Sequence, residues 1–119
     1  LETKKIGDLA QEHGVSMALH MAGTPVSTLA SVHCAAATEN FIALEHHFTE
    51  VPFWSDFIAI NGETKPIIQN GYISVPEGPG LGFTINEDVL KEHLVDWDRG
   101  FFAPTPEWDR VPSHDRLWS

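Results

Sequence analysis

Cysteine and positive charge are what this sequence has least of. A single cysteine, Cys34, in 119 residues leaves no internal disulfide and no multi-cysteine zinc motif, and it suits a reducing compartment. Seven Lys+Arg stand against 17 Asp+Glu, a net charge of −10. Giving each of the seven histidines a positive charge still leaves −3. Neither nucleic acid held through its phosphates nor an anionic membrane surface is an expected partner. Long apolar runs are missing too: none approaches the roughly 20 residues that span a bilayer, and no basic start leads into an apolar stretch. The expected class is a soluble, acidic, cytoplasmic α/β chain. Its length suffices for one domain with its own core.

What is there begins inside a helix. Leu1-Glu2-Thr3-Lys4-Lys5 has no Met, and Ile6, Leu9, Ala10 and His13 follow at helical spacing. Gly14 stands where a helix C-terminus tolerates positive φ. Two readings of such an uncapped opening stay open, a trimmed start and the tail of something longer. Val15–His20 is short, apolar and bounded by Gly14 and Gly23, which predicts a buried strand. Thr24-Pro25 predicts an N-cap and first helical position, ahead of a helix to about Ala37 with a stripe of Val26, Leu29, Ala30, His33, Ala36 and Ala37. Phe41–Glu45 reads as a second strand. This αβαβ order predicts parallel strands joined by a right-handed crossover.

Beyond His47 the texture changes, which divides the chain into residues 1–50 and a C-terminal segment, 51–119. Val51–Ile58 fits a short helix or a packed loop. Asn70-Gly71 predicts a two-residue hairpin turn between Pro66–Gln69 and Tyr72–Val75. Asn86 predicts a helix N-cap, with Glu87 and Asp88 in the first turn of a helix to Leu94. The stretch from Asp96 to Ser119 holds three tryptophans, Phe101, Phe102 and three prolines without periodicity, and is expected to pack over another surface.

His20 and Glu45 fall at the C-terminal ends of the two predicted strands, the edge where α/β folds gather ligand and catalytic groups. Alternation places His20 with Ala18 and Ser16, and Glu45 with Phe41 and Ala43. If both faces point into a barrel the two side chains converge at its mouth. There an imidazole can move protons near neutral pH and a carboxyl group can hydrogen-bond a substrate oxygen. Spacing alone leaves a structural role open for both. Glu45-His46-His47 has zinc-type ligands, but adjacent strand residues face opposite ways, so only Glu45 and His47 can share a side and no local metal site is expected. His47 is a candidate for lining the same mouth. His33 is expected to be packed and hydrogen-bonded, and His13, His93 and His114 to lie at the surface or at helix ends. Gly78-Pro79-Gly80-Leu81-Gly82 opens no immediate helix and lacks Lys-Ser/Thr, so it predicts a tight turn rather than a phosphate loop. Cys34 inside a helix is no expected nucleophile.

Three segments together resemble the C-terminal part of the enolase superfamily, in its mandelate racemase-like, sugar-acid dehydratase branch. They are Met17–His20 with Ala22-Gly23-Thr24-Pro25, Phe41–Glu45, and Asn70–Pro76 running on through Gly78–Gly82 and Ile85–Asp88. The resemblance covers about residues 4–94. It implies the last units of a (β/α)₇β TIM-like barrel (helix six, strand seven, helix seven, strand eight), followed by a segment that packs on an α+β capping domain. It implies that His20 is the strand-seven acid/base and Glu45 the strand-eight group that hydrogen-bonds the substrate carboxylate as it becomes an enediolate. The implied reaction removes the proton α to a carboxylate and eliminates water from a sugar acid, giving a 2-keto-3-deoxy acid. The implied cofactor is Mg²⁺, with ligands outside this chain, so no metal ligand is expected within it. A homo-oligomer is likewise implied.

A barrel needs roughly 250 residues, so the chain is expected to require the missing N-terminal part and to be inactive by itself. Racemisation or cycloisomerisation in the same superfamily is the alternative chemistry. A non-catalytic binding module folded from these residues alone is the alternative class.

Overall fold

The computed structural model describes residues 1–47 and 50–94; the aromatic tail from residue 95, with His114, lies outside the described residues. Helix α1 spans Glu2–Glu12. It ends where Gly14 takes φ +67°, which lets the amides of Val15 and Gly14 turn back to the carbonyls of Ala10 (2.8 Å) and Gln11 (3.0 Å), a Schellman closure. Only Gly7 of this helix is buried. The apolar stripe is not: Ile6 and Leu9 are each 58% exposed, because α1 approaches the rest of the chain along its glycine rather than along its large side chains.

Strand β1 (Met17–Leu19) and strand β2 (Phe41–Leu44) form a parallel pair, as the αβαβ order predicts. Both are shorter than their sequence patterns suggest. Between them helix α2 runs Pro25–Ala36, with Pro25 in its first turn. Thr24 occupies the N-cap position in extended conformation, yet its side chain makes no capping bond. Instead its carbonyl accepts from Ser27 Oγ at 2.9 Å and Thr28 Oγ1 at 3.1 Å. The buried face of α2 is Pro25, Thr28, Leu29, Val32 and Ala35. That face is rotated from the predicted stripe, since Val26, Ala30, Ala36 and Ala37 are exposed.

The register of the parallel pair decides what meets at its end. Met17 faces Phe41, but Ala18 faces Ala43 and Leu19 faces Leu44, so a bulge absorbs Ile42. One step further along the same register sets His20 beside Glu45, and Glu45 N–H donates to Leu19 O at 2.9 Å. Asn40, just before β2, ties the opposite end: its Nδ2 donates to Gly7 O (3.2 Å) and Val15 O (2.7 Å).

After β2 comes a 3₁₀ turn at Trp54–Phe57, then strand β3 (Ile58–Ala59), antiparallel to strand β4 (Thr84–Ile85). The Asn70-Gly71 turn forms, with φ of 52° and 79° and reciprocal bonds of 2.9 Å between Gln69 and Tyr72. These are the angles of a type I′ turn. The flanking segments do not extend into strands; Gln69 and Tyr72 make an isolated antiparallel bridge. A second turn of the same kind at Asn61-Gly62 (φ 54° and 77°) joins Ile60 to Glu63. The Gly/Pro segment closes as a tight turn, with Gly82 N–H donating to Pro79 O at 3.1 Å. Helix α3 (Glu87–Glu92) follows, Asn86 accepting from Val89 N–H, and it stops at His93, short of the predicted end. The core of Leu29, Val32, Trp54, Ile58 and Ile67 draws α2 and the segment after β2 onto each other.

Candidate functional site

At the C-terminal ends of β1 and β2 three side chains meet. His20 Nε2 lies 3.6 Å from Glu45 Oε2, and His47 Nε2 lies 2.8 Å from Glu45 Oε1. The two imidazole rings are 5.9 Å apart and tilted by 50°. The parallel register places the first pair. His47, two residues beyond Glu45 and past the end of β2, turns its ring to the Glu45 carboxyl group. All three are exposed, so their attraction is a weak, screened one that contributes little to stability. What the arrangement offers is chemical: a proton-accepting ring nitrogen, a carboxyl group bridging two imidazoles, and open access from one side.

His46 points the other way and is half-buried. Its ring meets Trp54 edge-on, centroids 4.7 Å apart, and Trp54 Nε1–H donates to Gly23 O at 3.0 Å. A single indole therefore touches the residue after Glu45 and the loop after His20. Among the described residues His46 Nδ1 is buried without a partner. Burial, and after it the neighbouring His47 imidazole, holds the His46 pKa below its ordinary 6.5. The folded chain thus favours neutral His46, while the unfolded chain takes up the proton at its ordinary pKa. Stability from this group is fully present above about pH 6.5 and is lost as pH falls from there toward the lower folded value. The midpoint of urea unfolding in EDTA should accordingly fall between pH 7.5 and pH 5.5, and by less in His46→Phe. Equal falls in both chains would remove His46 as a cause.

The remaining histidines are elsewhere. His33 Nε2 is 3.1 Å from Leu81 O, linking α2 to the Gly/Pro turn. His13 ends α1. His93 ends α3 and stacks on Phe53 at 3.6 Å with nearly parallel planes. Cys34 is a free thiol within α2. Sequence reasoning did not single out Trp54 or Asn40. An aromatic residue ten positions after the end of β2 and an asparagine just before the strand were the signals present.

Comparison with known proteins shows the family of the chain. Residues 1–89 match the family described as Enolase C-terminal domain-like. The chain is 39% identical over 100 residues to the D-xylonate dehydratase of Haloferax volcanii, covering 84% of this chain and 23% of that protein. It is 31% identical over 108 residues to the D-gluconate/D-galactonate dehydratase of Picrophilus torridus (91% and 27% covered). It is 35% identical over 99 residues to the D-galactarolactone cycloisomerase of Agrobacterium fabrum (76% and 25%). Among solved structures, a mandelate racemase/muconate lactonizing enzyme-like protein from Rubrobacter xylanophilus superposes with a TM-score of 0.72 at 38% identity, over 77% of this chain and 23% of that one. The chain spans about a quarter of the length of the relatives it matches.

Proposed function

The chain belongs to the Enolase C-terminal domain-like family, and from that premise we propose that it is the C-terminal part of a sugar-acid dehydratase, a carbon–oxygen lyase. In the complete protein α1, β1, α2 and β2 are the last helix and strand units of a (β/α)₇β barrel, with the segment beyond residue 50 returning toward a capping domain. The exposed Ile6, Leu9 and Ile42 are faces on which the rest of that barrel packs. The observation that carries the reading is the His20–Glu45 pair at the ends of neighbouring parallel strands, the edge on which such folds hold their reacting groups.

His20 Nε2 accepts the proton α to the carboxylate, or returns one to the departing β-hydroxyl. Glu45 hydrogen-bonds the carboxylate oxygen on which negative charge develops. A carboxyl group donates to an oxygen only while it carries a proton. Donors aimed at developing charge are worth more than uniform binding contacts. Loss of the β-hydroxyl as water leaves an enol that becomes the 2-keto-3-deoxy acid. The family resemblance brings Mg²⁺, which would stabilise the enediolate from ligands outside this chain. Two imidazoles and one carboxylate do not fit that ion, which prefers an octahedron of oxygens, and none of the steps given to His20 and Glu45 passes through it.

A panel of aldonates and aldarates, D-xylonate first, given to the complete protein should yield keto acid, while these 119 residues alone yield none. The cycloisomerase relative favours a second reading, in which the same proton abstraction ends in a rearranged lactone. A panel that gives no keto acid but consumes lactone would select it. A panel that gives neither product, from a chain that folds unaided as a monomer, would select a binding module.

A further inference from the structure

The sequence predicts no metal site at Glu45-His46-His47 because only two of the three side chains share a face. The structure supplies a third donor from the neighbouring strand. One ligand atom from each of His20, Glu45 and His47 lies within 4.8 Å of the other two. We propose that these residues form a site for a zinc-class divalent ion, distinct in chemistry from Mg²⁺, and that its occupancy shuts off the site they share.

The geometry is close to what such an ion demands. Zinc binds imidazole nitrogen and carboxylate oxygen at about 2.0–2.2 Å, which sets neighbouring ligand atoms of a tetrahedron about 3.4 Å apart. The Glu45 oxygens stand 2.8 Å from His47 Nε2 and 3.6 Å from His20 Nε2, bracketing that spacing. The two contacts use different Glu45 oxygens, and all three side chains are exposed, so drawing them onto one ion displaces no core packing. The β1–β2 register and the Glu45 N–H bond to Leu19 O set the backbones of His20 and Glu45 side by side. Two nitrogens and one oxygen favour zinc over magnesium by ligand type, and three protein ligands leave a fourth position open to water. Binding itself does not depend on the dehydratase reading. The shut-off rests on it, because a zinc ion on His20 Nε2 takes the lone pair that would accept the substrate proton.

The test is calorimetric titration of the tag-free, EDTA-treated full chain with Zn²⁺ alone. One equivalent should bind, with affinity lowered at least tenfold in His20→Ala and in His47→Ala. It should be unchanged in His13→Ala and unaffected by millimolar Mg²⁺. Circular dichroism of each variant confirms that it is folded. Absence of binding, unweakened binding in either site variant, or an equal loss in His13→Ala would overturn the site. In a complete protein that turns over an aldonate in excess Mg²⁺, one equivalent of Zn²⁺ should stop turnover, and one equivalent of EDTA, which takes up zinc before magnesium, should restore it. Turnover with zinc bound would overturn the shut-off alone.

Discussion

His20→Asn in the complete protein should lower aldonate dehydration by on the order of 10²–10⁴-fold, the usual contribution of a positioned acid/base group. Asparagine has nearly the reach of the imidazole and keeps a polar group beside Glu45, but its amide cannot take up a proton at neutral pH. The loss should therefore fall on kcat rather than on substrate binding. The fold has little at stake, since the His20 side chain is 77% exposed and the ion pair it leaves is a surface one. Steady-state keto-acid formation, run beside thermal unfolding of the same preparation, separates the two effects. Turnover within a few-fold of the parent chain, in a variant of unchanged stability, would take the acid/base role away from His20.

Trp54→Ala should be the most destabilising single change in the described residues, costing roughly 3–5 kcal/mol as large aromatic truncations in cores do. Trp54 is 5% exposed and packs with Leu29, Val32, Ile58 and Ile67. It also supplies the hydrogen bond to Gly23 O and the edge contact with His46. Truncation opens a cavity and strands that carbonyl together. Trp54→Phe isolates the second effect: most of the apolar volume stays and the donor goes, with an expected cost of about 1–3 kcal/mol. Gly23 lies three residues after His20, and His46 directly follows Glu45. Even the Phe variant should thus loosen the pair and lower kcat more than its stability loss explains. Denaturant midpoints and kcat measured on both variants check this. A cost below 1 kcal/mol for Trp54→Ala would mean that the indole is not the brace between the two strand ends.

Much of the candidate site is legible in the sequence. The strand ends follow from two short apolar runs bounded by glycine and asparagine, and the parallel sense follows from the helix between them. What spacing could not give was the register. The bulge at Ile42 sets Ala18 opposite Ala43, and only that offset makes His20 and Glu45 neighbours. Periodicity misled at the helices for a related reason. It marks which faces are apolar, not which are covered, and the stripe of α1 is left exposed while Gly7 makes the approach against Thr38. The pairing of β3 with β4 joins two residues from each side across 25 positions, too short for alternation to signal. Asn61-Gly62 carries the same dipeptide as Asn70-Gly71, but Glu63-Thr64-Lys65 after it lacks the apolar run that marks a hairpin. His46 and Trp54 meet through the fold alone, eight residues apart on either side of a bend.

The central claim is that the His20–Glu45 pair works on the proton at the carbon next to a sugar-acid carboxylate. Proton NMR of the complete protein with D-xylonate or a related aldonate in D₂O tests it most directly. The account predicts that the C2–H signal disappears and that a keto acid accumulates with a solvent deuteron at C3, neither change occurring in His20→Asn. A C2–H signal that persists across the whole panel, or one that vanishes as fast in His20→Asn as in the parent chain, would contradict it.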